Sequence, residues 1–200
     1  MVWIEPHPRV AEPPFIVEPL APTHDRAAFF CREETLTEYI TGPKAFRDIA
    51  NYSATVYVCV DKNQVVWGYF TLHSFSITRN ELLSSLYGSD WENPTTSKER
   101  RQLGAWHRAF PHPVVSATLL GKIAAHQILR GTDFGEGLMT KMLEKVWAAA
   151  QLVASRVLVL DAKNGTLVGL YHGYGFQLLS SEDRRMFMLM DTVKQFAEAK

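Results

Sequence analysis

Between Leu129 and Met139 the chain reads Leu-Arg-Gly-Thr-Asp-Phe-Gly-Glu-Gly-Leu-Met, after an apolar run, Ser116–Ala125, and before a helix-forming run, Met139–Gln151. Strand, glycine-bearing turn and helix is the order that aims backbone N–H groups at a phosphate from a helix N-terminus. Gly131 and Gly135 permit close approach of a ligand, and Gly137 would relieve crowding in the first helical turn. The plainer alternative is an ordinary capped helix start that binds nothing. A second element follows at a sensible distance: Val157–Asp161 as a strand, then Leu170-Tyr171-His172-Gly173-Tyr174-Gly175-Phe176.

The elements that must position these residues follow from periodicity and turn signals. Residues 1–23 hold six of the ten prolines and read as an extended N-terminal segment, entering a first strand near Phe15–Glu18. The rest, 24–200, reads as a single domain without internal repeats. Asp25–Cys31 and Glu34–Ile49 have helical patterns, the second broken at Gly42-Pro43. Ala54–Val60 and Val65–Ile77, joined by Asp61-Lys62-Asn63-Gln64, form a hairpin. A short helix near Glu81–Leu86 and a long loop to Pro113 come next, a candidate substrate-side insertion.

Val114–Ala125 is a mostly buried fourth strand. Phe134–Gln151 is a helix, with Phe134, Leu138, Met142, Val146 and Ala149 at helical spacing. After the fifth strand come a short helix, Thr166–Gly173, a closing hairpin, Phe176–Leu179 with Arg185–Met190, and a terminal helix, Thr192–Ala199. Strand, turn, helix, strand implies parallel pairing of the fourth and fifth strands, and the hairpins imply antiparallel neighbours. The fold class is therefore α/β (α+β), with a central mixed sheet flanked by helices.

Composition bounds the function. Of 200 residues 46% are hydrophobic, enough for a proper core. Basic and acidic side chains balance at 21 each, which argues against general nucleic-acid affinity but not against a localised site. Lys98, Arg100, Arg101, His107 and Arg108 cluster, as do Arg184 and Arg185; solvated surface charge is the default reading of both groups. Cys31 and Cys59 make no disulfide framework and read as buried free thiols. His107 and His112 lack partners at metal-ligand spacing, so no metal is expected. Met1–Val10 has no export-signal pattern, and no apolar run nears the roughly 20 residues of a membrane span. A cytoplasmic protein is expected.

Four ordered stretches carry a resemblance: Phe29-Phe30-Cys31, Gly68-Tyr69-Phe70-Thr71-Leu72, Leu120-Gly121-Lys122-Ile123-Ala124 and Leu170–Phe176. With the turn Arg130-Gly131-Thr132-Asp133-Phe134-Gly135 they resemble the GNAT superfamily of acetyl-CoA-dependent N-acetyltransferases, over about Phe29–Met190. That superfamily's central motif is Gln/Arg-x-x-Gly-x-Gly/Ala. The resemblance is to the GNAT toxins of type II toxin–antitoxin pairs in particular. It implies splayed fourth and fifth strands, with pantetheine amides bonded along Ile123, Ala124 and Ala125. It further implies a coenzyme A pyrophosphate held by Arg130, Gly131, Thr132, Asp133, Phe134 and Gly135. Asp133 departs from the family's glycine, and a carboxylate beside a pyrophosphate costs on the order of 1–4 kcal/mol. The cost is avoided if the side chain turns outward and caps the helix starting at Phe134.

Tyr171 matches the tyrosine that serves as general acid in many members of the superfamily. A phenol, with an ordinary pKa of about 10 against about 8.5 for a thiol, keeps its proton until a thiolate departs. His172 is expected to be exposed rather than catalytic. No side chain stands out as general base, which favours an α-amine acceptor: with a pKa of about 7.7–8.0 it is already about a tenth free at neutral pH. Aminoacyl-tRNA, the acceptor of toxin-like members, presents such an amine. The resemblance also implies a ribbon-helix-helix antitoxin as partner and is compatible with a homodimer. Two other readings stand beside it: an acetyltransferase for a small-molecule or protein amine, and a degenerate GNAT domain that binds a partner without catalysis.

Overall fold

The computed structural model describes residues 14–179 and 184–199. Its seven strands form one mixed sheet in the order β1-β2-β3-β4-β5-β7-β6. They are β1 (Ile16–Pro19), β2 (Thr55–Val60), β3 (Val66–Thr78), β4 (Val114–Ala125), β5 (Val157–Asp161), β6 (Gln177–Leu178) and β7 (Arg185–Leu189). The helices are α1 (Glu34–Thr41), α2 (Lys44–Ala50), α3 (Arg79–Tyr87), α4 (Ser97–Ala109), α5 (Phe134–Leu152), α6 (Gly165–Gly173) and α7 (Met190–Glu198). The chain divides into two compact units, Met1–His73 with Gly121–Leu143, and Ser74–Leu120 with Glu144–Lys200. The first thirteen residues of the proline-rich segment lie outside the described residues.

In the first unit β2 pairs antiparallel with β1 and with β3. The β2–β3 turn is organised by Asp61, whose Oδ1 accepts from the backbone N–H groups of Asn63 (2.9 Å) and Val65 (3.1 Å). Its Oδ2 accepts from Trp67 Nε1 at 2.9 Å, so this buried carboxylate spends its lone pairs locally. The core packs Ile40, Ala45, Val56, Val58 and Tyr69 around Phe29 and Tyr39. Tyr69 also donates its hydroxyl to the Leu36 carbonyl at 2.7 Å, tying β3 to α1.

In the second unit the register sets Ala117–Leu120 of β4 parallel to Val157–Leu160 of β5. β5 pairs antiparallel with β7 and β7 with β6, so both expectations of strand direction hold. β5 ends at Asp161 while β4 runs on to Ala125, so the last residues of β4 have no register partner on β5. The core here joins Ile77, Leu82, Phe110, Val115, Val159 and Phe187.

Two expectations need correction. Asp25–Cys31 is not a helix. Its carbonyls serve other partners: Asp25 O accepts from Val66 N at 2.9 Å, Ala28 O faces His126 Nε2 at 3.1 Å, and Phe30 O accepts from Gln127 N at 2.9 Å. The expected loop to Pro113 contains a second helix, α4. A capping box starts it, in which Thr96 Oγ1 accepts from Glu99 N while the Glu99 carboxylate accepts from Thr96 N at 3.0 Å. The basic cluster Lys98, Arg100, Arg101, His107 and Arg108 lies exposed on this helix.

Candidate active site

β4 ends at Ala125 and the chain turns at His126 into a 3-10 turn, Gln127–Leu129. His126 fixes this corner. Its Nε2–H faces the Ala28 carbonyl, its Nδ1 accepts from Ile128 N at 3.3 Å, and its ring meets Trp67 and Phe29 edge-on at 5.2 and 5.8 Å. Burial holds its pKa below the usual imidazole value, the hydrogen bond to Ala28 opposing. The neutral ring, one nitrogen donating and the other accepting, is thus the form the corner is built on.

The turn itself closes through Thr132. Its backbone N and its Oγ1 both meet the Leu129 carbonyl, at 3.3 and 2.6 Å, and Phe134 N points at the same Oγ1 at 3.3 Å. Gly131 has φ +79, a left-handed conformation that glycine adopts without strain. The helix ladder of α5 then begins from the Asp133 carbonyl, which accepts from Gly137 N at 2.9 Å. The N–H groups of the first turn have no helical acceptors, and the 19-residue helix adds its positive end to them.

A cleft of about 260 Å³ opens at this point, lined by Arg32, Arg130, His126, Gly131, Thr132 and Gly135 together with Cys31, Ala125, Gln127 and Leu129. Two guanidinium groups and no carboxylate stand in that lining. Gly135 is helical and needs no special dihedral, and a β-carbon there would meet nothing within 4 Å. A glycine inside a helix is unfavourable by about 1 kcal/mol relative to alanine. Here it leaves bare backbone facing the cleft, which suits an anion approaching the N–H groups.

Of the residues that sequence reasoning put at this site, Ala125, Arg130, Gly131, Thr132 and Gly135 line the cleft. Phe134 does not; its ring packs edge-on against Phe15 at 5.0 Å and anchors the helix start. Asp133 is exposed and outside the lining, so its carboxylate is not among the groups that face the cleft. The side-chain oxygen at the helix start is that of Thr132, not the Asp133 cap expected. Ile123 is half-buried and Ala124 packs in the first unit's core. Cys31, Arg32, His126, Gln127 and Leu129 were missed as cleft residues. Their signal was faint: a histidine between the strand and the glycine turn, and an arginine after the Phe-Phe-Cys stretch.

Tyr171 belongs to the second unit. It sits on α6, whose start is capped by Asn164 Oδ1 accepting from Leu167 N at 3.0 Å, three residues beyond the end of β5. Tyr171 is buried, with its ring edge-on to Phe176 at 5.8 Å. Burial, and then the neighbouring Tyr174, push its pKa above the ordinary phenol value. It therefore stays protonated at neutral pH, as a proton donor must. His172 is exposed, as expected. Cys31 and Cys59 are buried free thiols. No described helix is long and apolar enough to cross a membrane.

No family model matches the chain. It is 30% identical over 194 residues, covering 90% of this chain and 93% of the relative, to the probable toxin TacT of Sinorhizobium fredii strain NGR234. Among solved structures it is similar to AtaT complexed with acetyl-methionyl-tRNAfMet, with a TM-score of 0.71 and 21% identity over 90% of this chain and 98% of that one. It is also similar to AtaTR bound with AcCoA, with a TM-score of 0.69 and 20% identity over 90% and 96% of the two chains. A tyrosine-to-phenylalanine mutant of KacT matches with a TM-score of 0.70 and 21% identity over 90% and 98%. The chain belongs to the GNAT N-acetyltransferase toxins of toxin–antitoxin systems.

Proposed function

We propose that this chain transfers an acetyl group from acetyl-CoA to the α-amine of aminoacyl-tRNA in the cytoplasm, blocking translation until an antitoxin binds it. The observation that carries this reading is the cleft at the N-terminus of α5, with Arg32 and Arg130 in its lining and no carboxylate. Arg130 and the N–H groups from Gly131 to Gly135 hold the pyrophosphate. The backbone of Ile123–Ala125 accepts the pantetheine amides, and Tyr171 protonates the departing thiolate. Relatives support the acceptor and the partner: AtaT is known with acetyl-methionyl-tRNAfMet and with the C-terminus of the antitoxin AtaR, and KacTA with DNA. A ribbon-helix-helix antitoxin and a homodimeric toxin complete the proposal.

The test is direct. The purified chain is mixed with acetyl-CoA and charged tRNA, and the released aminoacyl groups are weighed by mass spectrometry. An N-acetylated α-amine is expected, with Tyr171→Phe lowering kcat by about a hundredfold or more while acetyl-CoA affinity stays unchanged. Acetylation of small amines but not of charged tRNA would favour a metabolic acetyltransferase. Absence of acetyl-CoA binding by calorimetry would leave a binding module.

A further inference from the structure

The reading above gives the thiolate its proton but leaves the proton of the attacking amine without a destination. Resting on that reading, we propose that Nε2 of His73 accepts it, making His73 the general base. The direction of the cofactor arm comes first. The phosphate turn lies at the C-terminal end of β4, so a pantetheine laid along Ile123–Ala125 runs back up the strand toward Gly121 and carries its thioester to that end. Gly121 is two residues from Ile123, about 7 Å along a strand. It is also the first β4 residue after the β4–β5 register, which ends at Leu120 and Leu160.

The imidazole of His73 lies against Gly121. A β-carbon added there would run into Nε2, would stand 2.7 Å from Cδ2, and would be 3.0 Å from Thr71 Oγ1. The glycine of the Leu-Gly-Lys-Ile-Ala stretch thus makes room for a histidine ring on the strand that would carry the arm. The ring's partners fix its tautomer. Nδ1 is 2.7 Å from the carbonyl oxygen of Ser53, which can only accept, so Nδ1 carries the proton. Nε2 therefore holds the lone pair, 3.1 Å from the hydroxyl of buried Thr71, which donates to it and can rotate away. His73 is half-buried, with its ring orientation held by the Ser53 carbonyl and its basic nitrogen beside β4.

The step balances. The amine nitrogen attacks the acetyl carbon, the C–N bond forms, and the C–S bond breaks with its electron pair leaving on sulfur. The nitrogen's proton goes to His73 Nε2 and the sulfur takes the proton of Tyr171. Imidazolium and phenolate reset through solvent, leaving one amide and one thiol.

The full chain and its His73→Gln and His73→Ala variants are assayed for thiol release from acetyl-CoA with charged tRNA, from about pH 5.5 to 9.5. Acetyl-CoA affinity by calorimetry and circular dichroism are measured alongside. Both variants should lose about a hundredfold or more in kcat at neutral pH, keep acetyl-CoA affinity within about twofold, and lose the acidic limb of the wild-type profile. Added imidazole should restore part of the His73→Ala rate. His73→Gln with kcat within about threefold of wild type and the acidic limb intact would overturn the assignment. So would joint loss of fold or of acetyl-CoA binding in both variants, which marks a structural ring. If the wild type binds no acetyl-CoA or releases no thiol, the acetyltransferase reading itself falls. An active wild type with an indifferent His73→Gln removes only the base.

Discussion

Gly68 of β3 and Phe134 of α5 are packed so closely that a β-carbon on Gly68 would lie 2.9 Å from the Phe134 ring and 3.0 Å from a methyl of Leu138. The glycine of the Gly-Tyr-Phe-Thr-Leu stretch therefore sets how near the first turn of α5 comes to the sheet. That turn carries the N–H donors of the cleft. Phe134 cannot swing freely aside, because Phe15 meets it edge-on at 5.0 Å. Gly68→Ala should cost about 1–3 kcal/mol through overpacking. Thermal unfolding should show a lower Tm, and acetyl-CoA affinity should fall with it. An unchanged Tm would mean that the helix start is not held by this contact.

Gly131 offers a backbone test with no packing component. Its φ is +79, and a β-carbon there would meet nothing within 4 Å. Gly131→Ala should cost about 1–2 kcal/mol from the left-handed conformation alone. If the strain falls on the ligand-ready form of the turn, acetyl-CoA affinity drops about tenfold. Gly131→Asn should do less harm than Gly131→Ala, and Gly131→Val should do more. Calorimetric titration of the three variants ranks them.

The corner residue His126 predicts a pH dependence. Its folded pKa is depressed, mainly by burial, so the folded chain binds a proton there less readily than the unfolded chain does. Its contribution to stability is then fully present above the ordinary imidazole value of about 6.5 and fades as pH falls through the lower folded value. Protonation would also turn the Nδ1 acceptor of Ile128 N–H into a donor and loosen the turn that follows. Melting curves across this range should show a loss on acidification that is smaller in His126→Gln. Equal slopes in the two proteins would exclude His126 as the source.

On α4, Thr96 Oγ1 accepts from Glu99 N at 3.2 Å. Thr96→Ala should cost about 1 kcal/mol, as loss of a cap does. Hydrogen exchange should speed up at the amides of the helix's first turn, while acetyl-CoA affinity stays at the wild-type value. Loss of affinity would show that this helix shapes the cofactor cleft.

The turn, the helix after it and the strand before it were readable because their signals are local: an apolar run, glycines at short spacing, then helical periodicity. The proposal of Tyr171 as proton donor rests on the order of motifs alone. The helix α4 was also written locally, as Thr96-x-x-Glu99, but its polar composition concealed the box. Asp25–Cys31 was not readable from its own residues. Its pattern is helical, yet Ala28 and Phe30 give their carbonyls to His126 and Gln127, which lie almost a hundred residues further on. The choice of Thr132 over Asp133 at the helix start turned on rotamers of adjacent capable residues, and the pairing of His73 with Gly121 on strand register. Neither leaves a trace in spacing.

The link from Ala28 and Phe30 to the corner after β4 also bears on synthesis. A growing chain presents these two carbonyls almost a hundred residues before their partners. Until then the turn from Leu129 to Phe134 has neither its corner nor its helix. Closure of this corner is thus a non-local step, set by a loop of nearly a hundred residues rather than by the turn's own sequence.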